Sequence, residues 1–148
     1  MVRIETAVDK ARRALLHSRL REANTAASPA LRALRDTPLD RENPLQLWAL
    51  DDSGELIAGL DAHTWARWLH INLLWVHGGY RGAGLGSQLL AAAEEEARTG
   101  RDCRSSRVWT WDFQAPRFYR RCGYRVVCEL PDYPEGVTEY TLVKQLRT

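Results

Sequence analysis

The spacing of apolar and polar positions changes several times along the chain, and each change marks an element. In VDKARRALLHSRLREA (residues 8–23), Val8, Ala11, Leu15, Leu16 and Leu20 fall near helical spacing and predict a first helix. NTAASPALRALRDTPLDRENP follows with three prolines. It predicts a loop holding a short helix started by Ser28 and Pro29. LQLWAL (45–50), LIAGLDAHTW (56–65) and WLHINLLWV (68–76) are strand-like, and the DDSGE cluster between the first two is a turn. Three strands on short connections predict an antiparallel meander.

LGSQLLAAAEEEARTG (85–100) returns to a helical period. Leu85, Leu89, Ala92, Ala93 and Ala97 form one face, Glu94 to Glu96 the solvated side, and Gly100 suits a C-cap. SRVWTWDF (106–113) predicts a strand, APRFYRRCG (115–123) a short helix, and YRVVCEL (124–130) a strand. PDYPEG is a turn-rich loop, and VTEYTLVKQL (137–146) a final alternating strand. The expected fold is α/β, a mixed sheet of six or seven strands with helices on both faces, in one domain spanning 1–148. Strands flanking the long helix are expected to be parallel neighbours, because a crossover helix permits it.

Composition removes several function classes. With 21 Lys+Arg against 19 Asp+Glu the net charge is +2, too small to argue for nucleic acid. No apolar run approaches the length of a membrane span. The first residues lack the unbroken apolar core and cleavage site of a secretory signal, so a cytoplasmic domain is expected. Cys103, Cys122 and Cys128 are odd in number without C-x-x-C spacing, which argues against a disulfide framework and a zinc site. No metal is expected.

Five glycines crowd into GGYRGAGLG, Gly78 to Gly86, just before the long helix. A helix start leaves unpaired N–H groups at a partly positive dipole end, and glycine lets a ligand approach the backbone. Together they make a phosphate cradle. A P-loop requires lysine before the Ser/Thr, and Gly86-Ser87 has none between. A dinucleotide fingerprint requires G-x-G-x-x-G opening a βαβ unit, and here the spacing is G-x-G-x-G after a meander. The third pattern, R-x-x-G-x-G after an apolar strand ending in Val, is matched in full by residues 81–86.

LLWVHGGYRGAGLGSQLL, with DFQAPRFYRRCGY about thirty residues on, resembles the GNAT family of N-acetyltransferases. Ala115, Tyr119, Gly123 and Tyr124 fall on that family's second signature, N-x-x-A-x-x-x-Y-x-x-x-G-F/Y. The resemblance implies acetyl-CoA as donor and direct transfer to an amine. It implies that Arg81 and the backbone of Gly82, Ala83, Gly84, Leu85, Gly86 and Ser87 hold the pyrophosphate. The strand edge at Leu74, Trp75 and Val76 would pair with the pantetheine arm, Val76 N–H polarising the thioester carbonyl. The resemblance also implies that Tyr119 is the acid for the leaving thiolate.

Two departures leave alternatives open. Many relatives carry an acidic residue on the strand before LLWV; here it offers His70 and Asn72, on one face by alternation. His70 titrates in the useful range, Asn72 can only hold a water, and the proton can also leave through water alone. Asp112 stands where asparagine is common, and either contacts a pantetheine amide or faces the acceptor. Trp68 and Trp111 among the strand tryptophans, with Asp132 and Tyr133 in the PDYPEG loop, are candidate acceptor-binding residues. A small-molecule amine is the leading acceptor, since no peptide groove shows. A protein N-terminus or lysine, or a non-catalytic acetyl-CoA sensor, are the alternatives. The sequence also leaves room for a homodimer through the last strand.

Overall fold

A computed structural model describes residues 1–147. The chain divides after Asp40 into two compact units. The first holds two helices. α1, Lys10–Ala27, is capped by Asp9, whose carboxylate accepts the Arg12 N–H at 2.9 Å. α2, Pro29–Leu34, starts as expected on Ser28, whose hydroxyl accepts the Leu31 N–H at 3.1 Å. Arg21 and Arg35 both pair with Asp40, at 2.8 and 3.0 Å, and tie the end of this unit back to its helices.

The second unit is the mixed sheet. Its strands are β1 (Asn43–Leu50), β2 (Leu56–Trp65), β3 (Trp68–Val76), β4 (Ser105–Trp111), β5 (Arg125–Leu130) and β6 (Glu139–Gln145). The sheet order is β1-β2-β3-β4-β6-β5. β1, β2 and β3 form the antiparallel meander. β3 and β4 are parallel, joined through α3, Leu85–Glu95. α4, Pro116–Arg121, links β4 to β5. β6 lies between β4 and β5 with both edges paired, so a dimer cannot extend the sheet through the last strand.

One sheet face carries the core. Ala58, Leu60 and Ala62 of β2 alternate with half-buried residues and pack with Leu69, Ile71, Val108 and Leu142. Leu89, Leu90, Ala93 and Ala97 from the long helix, and Tyr119 from α4, complete it. The helical face therefore includes Leu90, and Ala92 is exposed. Gly100 is not the expected C-cap. The helix widens into a π-helical turn over Glu96–Gly100, and Arg101 caps it.

Glu94 also departs from expectation. Its side chain is only 12% exposed and is held by the Lys144 ammonium at 2.8 Å. The Tyr124 hydroxyl donates to its other oxygen at 2.8 Å and lies 2.7 Å from Ser106 Oγ. Burial first, and then the Glu94 charge, push the Tyr124 phenol far up, so it stays protonated. The α3 helix is thus pinned to β4, to β6 and to the residue leading into β5 through one polar cluster beside the core.

Candidate active site

The site begins with an irregularity in β3. Ile71 pairs with Ala62 and Leu73 with Asp61, leaving Asn72 as an extra, bulged residue. Parallel pairing with β4 stops at the same level, at Ile71 opposite Val108. Beyond it the strands splay and open a cleft of about 630 Å³. The bulge also exchanges faces. Leu73 is 68% exposed, while Leu74 packs against the core.

His77 donates its N–H to Ile57 O at 2.8 Å. Antiparallel bonding alternates, so Val76 and Leu74, opposite Ala58 and Leu60, turn their N–H and C=O groups away from β2. They face the splay. Past the strand, His77 Nδ1 accepts the Gly79 N–H at 3.0 Å and stabilises the short turn Gly78–Tyr80. Gly82 and Gly84 then adopt φ +85° and +81°, left-handed conformations that glycine takes without strain. Gly84 is the N-cap of α3 and supplies no side-chain cap. The first intrahelical bond here is Gln88 N–H to Gly84 O, so the N–H groups of Leu85, Gly86 and Ser87 have no helical acceptor. An added Cβ at Gly82 or Gly84 would meet no protein atom within 4 Å, so the space beside them belongs to the cleft. Gly86 differs: its Cβ would touch Phe118 and Val76 at 3.5 Å, and it lets the helix approach the strand.

Arg81 and Arg121 line the cleft. Arg81 Nε donates to Val76 O at 3.0 Å. Tyr119 lies at the cleft's inner end, 5% exposed, its ring edge-on to Phe118 and Tyr124. Burial, with a smaller contribution from Cys122, raises its pKa to about 12. A helix start with free donors, two arginines, an open strand edge and a protonated phenol therefore converge on one cleft.

A family model described as the acetyltransferase (GNAT) family matches residues 5–124. The chain belongs to this family. Its acyl donor is acetyl-CoA. Among curated proteins, this acetyltransferase is 53% identical over 131 residues to blasticidin-S acetyltransferase of Streptomyces morookaense, covering 86% of this chain and 96% of that enzyme. A crystal structure of an acetyltransferase from Bacillus cereus superposes with a TM-score of 0.83 at 26% identity, covering 97% of each chain. A Bacillus anthracis protein assigned as a streptothricin acetyltransferase, solved with acetyl coenzyme A, superposes at 0.62 with 19% identity. It covers 77% of this chain and 66% of its own, and at that identity speaks for the fold alone.

Acetyl-CoA fits the cleft of this acetyltransferase by the test of its own backbone. The donors that would hold a pyrophosphate are unpaired, and the space over Gly82 and Gly84 is open. Of the residues expected to bind the donor, Leu74, Trp75, Val76, Arg81, Gly82, Gly84, Leu85, Gly86, Ser87 and Tyr119 all line it. Ala83 does not; it is an exposed residue between the two left-handed glycines. Asp112 does not either, because its Oδ2 accepts the Thr138 N–H at 3.1 Å and its own N–H bonds Thr138 O at 2.9 Å. It fastens the start of β6 to the end of β4, against both roles expected for it. Phe113, Gln114, Phe118 and Arg121 join the cleft without having been expected. Phe118 and Arg121 were legible as helix neighbours of Tyr119; Phe113 and Gln114 sit in a turn that carries no periodic signal.

His70 and Asn72 lie on the face opposite the core and outside the cleft lining. His70 stacks on His63 at 4.5 Å, and its Nε2 is buried with no hydrogen-bond partner. Burial first, then the charges of His63 and Arg107, hold its pKa below 6.5. Asn72 Nδ2 donates to Asp61 Oδ2 at 3.2 Å and lies 3.1 Å from His63 Nδ1. That leaves Oδ1 for a water and brings in His63 and Asp61, which sequence reasoning passed over.

The acceptor candidates separate. Trp68 starts β3, eight residues before Val76, or roughly 26 Å at strand rise. That distance removes it from the acceptor site. Asp132 has φ +57° and accepts the Gly136 N–H at 3.2 Å, so it shapes the loop. Trp111 and Tyr133 do come together, with Trp111 Nε1–H donating to Tyr133 O at 2.9 Å, beside a second hollow. Among the described residues no three metal-binding side chains cluster, and no helix is long and apolar enough to cross a membrane.

Proposed function

We propose that this acetyltransferase modifies the amine of a small molecule, and that blasticidin S is the first compound to test. The observation carrying this reading is the 53% identity to blasticidin-S acetyltransferase over nearly that enzyme's whole length. Bound acetyl-CoA supplies the acetyl group as an activated thioester. The N–H groups of Leu85, Gly86 and Ser87, with Arg81 and Arg121, hold its phosphates. Leu74 and Val76 offer backbone partners to its arm, and Val76 N–H donates where negative charge develops.

Tyr119 keeps its proton near neutral pH and holds it for the departing sulfur. His70, which stands outside the cleft lining, stays neutral through most of the physiological range and takes the proton of the attacking amine through water, part of it held by Asn72. Trp111 and Tyr133 contact the acceptor. We read both compact units as one acetyltransferase domain, because the family match runs across Asp40. Three unpaired cysteines agree with a cytoplasmic location.

The test is thiol release from acetyl-CoA with blasticidin S and a panel of other small amines, and with peptides bearing a free N-terminus or lysine. Saturable release with a small amine is expected. Release with peptides alone would overturn the acceptor class, and acetyl-CoA binding without release on any amine would overturn the enzymatic reading.

A further inference from the structure

The face of the sheet opposite the core carries a second hollow, about 820 Å³, beside the end of β4. Register explains how it is built. Trp111 stands opposite Glu139 on β6, and Glu139 opposite Leu130 on β5, so one row of side chains crosses three strands. Residues directly opposite share a face. Trp109, two positions back on β4, shares it by alternation, since Val108 and Thr110 point into the core. Tyr133 and Pro134 close the far wall. That wall is fixed in advance: the Trp111 indole holds Tyr133 O, Tyr133 N–H bonds Val137 O at 2.9 Å, and Asp112 holds Thr138.

The lining is aromatic and apolar except for Glu139. Glu139 is half-buried as a residue, and its carboxylate has no hydrogen-bond or ion-pair partner among the described residues. In a chain with 21 arginines and lysines, none lines this hollow. A carboxylate set among aromatic rings with no cation beside it attracts one, and the faces of indole rings attract positive charge as well. Trp109 lies edge-on to Trp111 with ring centres 5.6 Å apart, and both rings border the same space. Trp111 stacks in turn on Phe113 at 5.8 Å, and Phe113 lines the acetyl-CoA cleft. The hollow is therefore one ring away from the donor site.

We infer that this hollow is the acceptor's specificity pocket, and that Glu139, flanked by Trp109 and Trp111, recognises a second positive charge on the acceptor. That charge is an ammonium or guanidinium several bonds from the amine that is acetylated. The inference rests on the proposed small-molecule acceptor and adds its charge pattern. The enzyme then selects amines by what they carry at the far end, where the cation replaces the missing partner of Glu139.

The test compares binding, read by calorimetry, of three amines: 1,5-diaminopentane, agmatine and n-hexylamine. The first two carry a remote cation and the third does not. Both cationic compounds are expected to bind at least about tenfold more tightly than n-hexylamine. Glu139→Gln keeps the shape of the side chain and should abolish that gap, with acetyl-CoA affinity unchanged. Trp109→Leu should narrow it. No gap in the wild-type protein, or a gap that survives in Glu139→Gln, would overturn the inference. Binding is measured without turnover. A protein that shows the gap but releases no thiol on any amine would support the pocket while refuting acetyl transfer.

Discussion

Replacing Tyr119 with phenylalanine removes one oxygen and little else. The side chain is 5% exposed, and its ring keeps its edge-on contacts with Phe118 at 5.1 Å and Tyr124 at 5.6 Å. Its hydroxyl has no hydrogen-bond partner among the described residues, so the change orphans no buried group. Stability near neutral pH should therefore move by no more than about 1 kcal/mol. Turnover should fall by about 100-fold or more, the ordinary contribution of a placed general acid. Acetyl-CoA affinity should stay within about twofold, because the cradle's donors are backbone groups and arginines. The pKa of about 12 adds an independent signature. A phenol whose folded pKa is raised contributes stability that is fully present below pH 10 and lost as pH rises toward 12. Two pKa units correspond to about 2.7 kcal/mol. The wild-type protein should thus lose about that much stability relative to Tyr119→Phe across this window, since Tyr124 is present in both and its own effect cancels. Initial rates by thiol release, calorimetry with acetyl-CoA, and urea melts at neutral and alkaline pH separate the three effects. Turnover of the variant equal to wild type would remove Tyr119 as the acid, whatever the melts show.

Two further changes probe the donor and acceptor sides. Gly84→Val forces a β-branched residue to φ +81°, at a strain of about 1–2 kcal/mol, with nothing of the protein in its way. Acetyl-CoA binding by calorimetry should weaken by about tenfold or more as the side chain enters the cleft; unaltered affinity would sink the cradle. His70 has a depressed pKa, so its neutral form contributes stability that is present above pH 6.5 and lost as pH falls through the folded value. The acid limb of kcat/KM should accordingly lie below pH 6.5 and vanish in His70→Gln; a limb unchanged in that variant would exclude His70 as the base.

Elements with strong periodicity were legible in the sequence, and their relations across the sheet were less so. The strand limits of 56–65 and 68–76 agree residue for residue with β2 and β3, because the DDSGE turn and the Ala66-Arg67 break bound them sharply. The glycine turn before the long helix was readable too, but not the split within it: Gly82 and Gly84 are left-handed and open to the cleft, while Gly86 packs on Phe118 and Val76. The bulge at Asn72 was not, because a single extra residue leaves an apolar run looking continuous. Without it, strict alternation puts Leu73 inward and Leu74 outward, the reverse of what the fold does. Glu94 reads as solvent-facing on its own helix; its partners Tyr124 and Lys144 lie thirty and fifty residues on. Asp112 failed for the same reason, its partner Thr138 being set by the pairing of β4 with β6. Trp68 was misplaced because tryptophans near in sequence to a site can sit at the wrong end of a strand. The pairing of Trp111 with Glu139 is also a matter of register, which no local pattern reports.

The early end of pairing between β3 and β4 has a consequence for the protein before it meets its donor. The free chain carries an interior seam where backbone groups at Leu74 and Val76 lack sheet partners. Such a seam invites intrusion by a foreign strand, and proteins usually shield it. In the proposed binding mode the shield is the donor itself. Acetyl-CoA in excess of its dissociation constant protects the fold by mass action, about 2.7 kcal/mol at a hundredfold excess. The protein's lifetime in solution is thereby tied to the supply of the metabolite it spends.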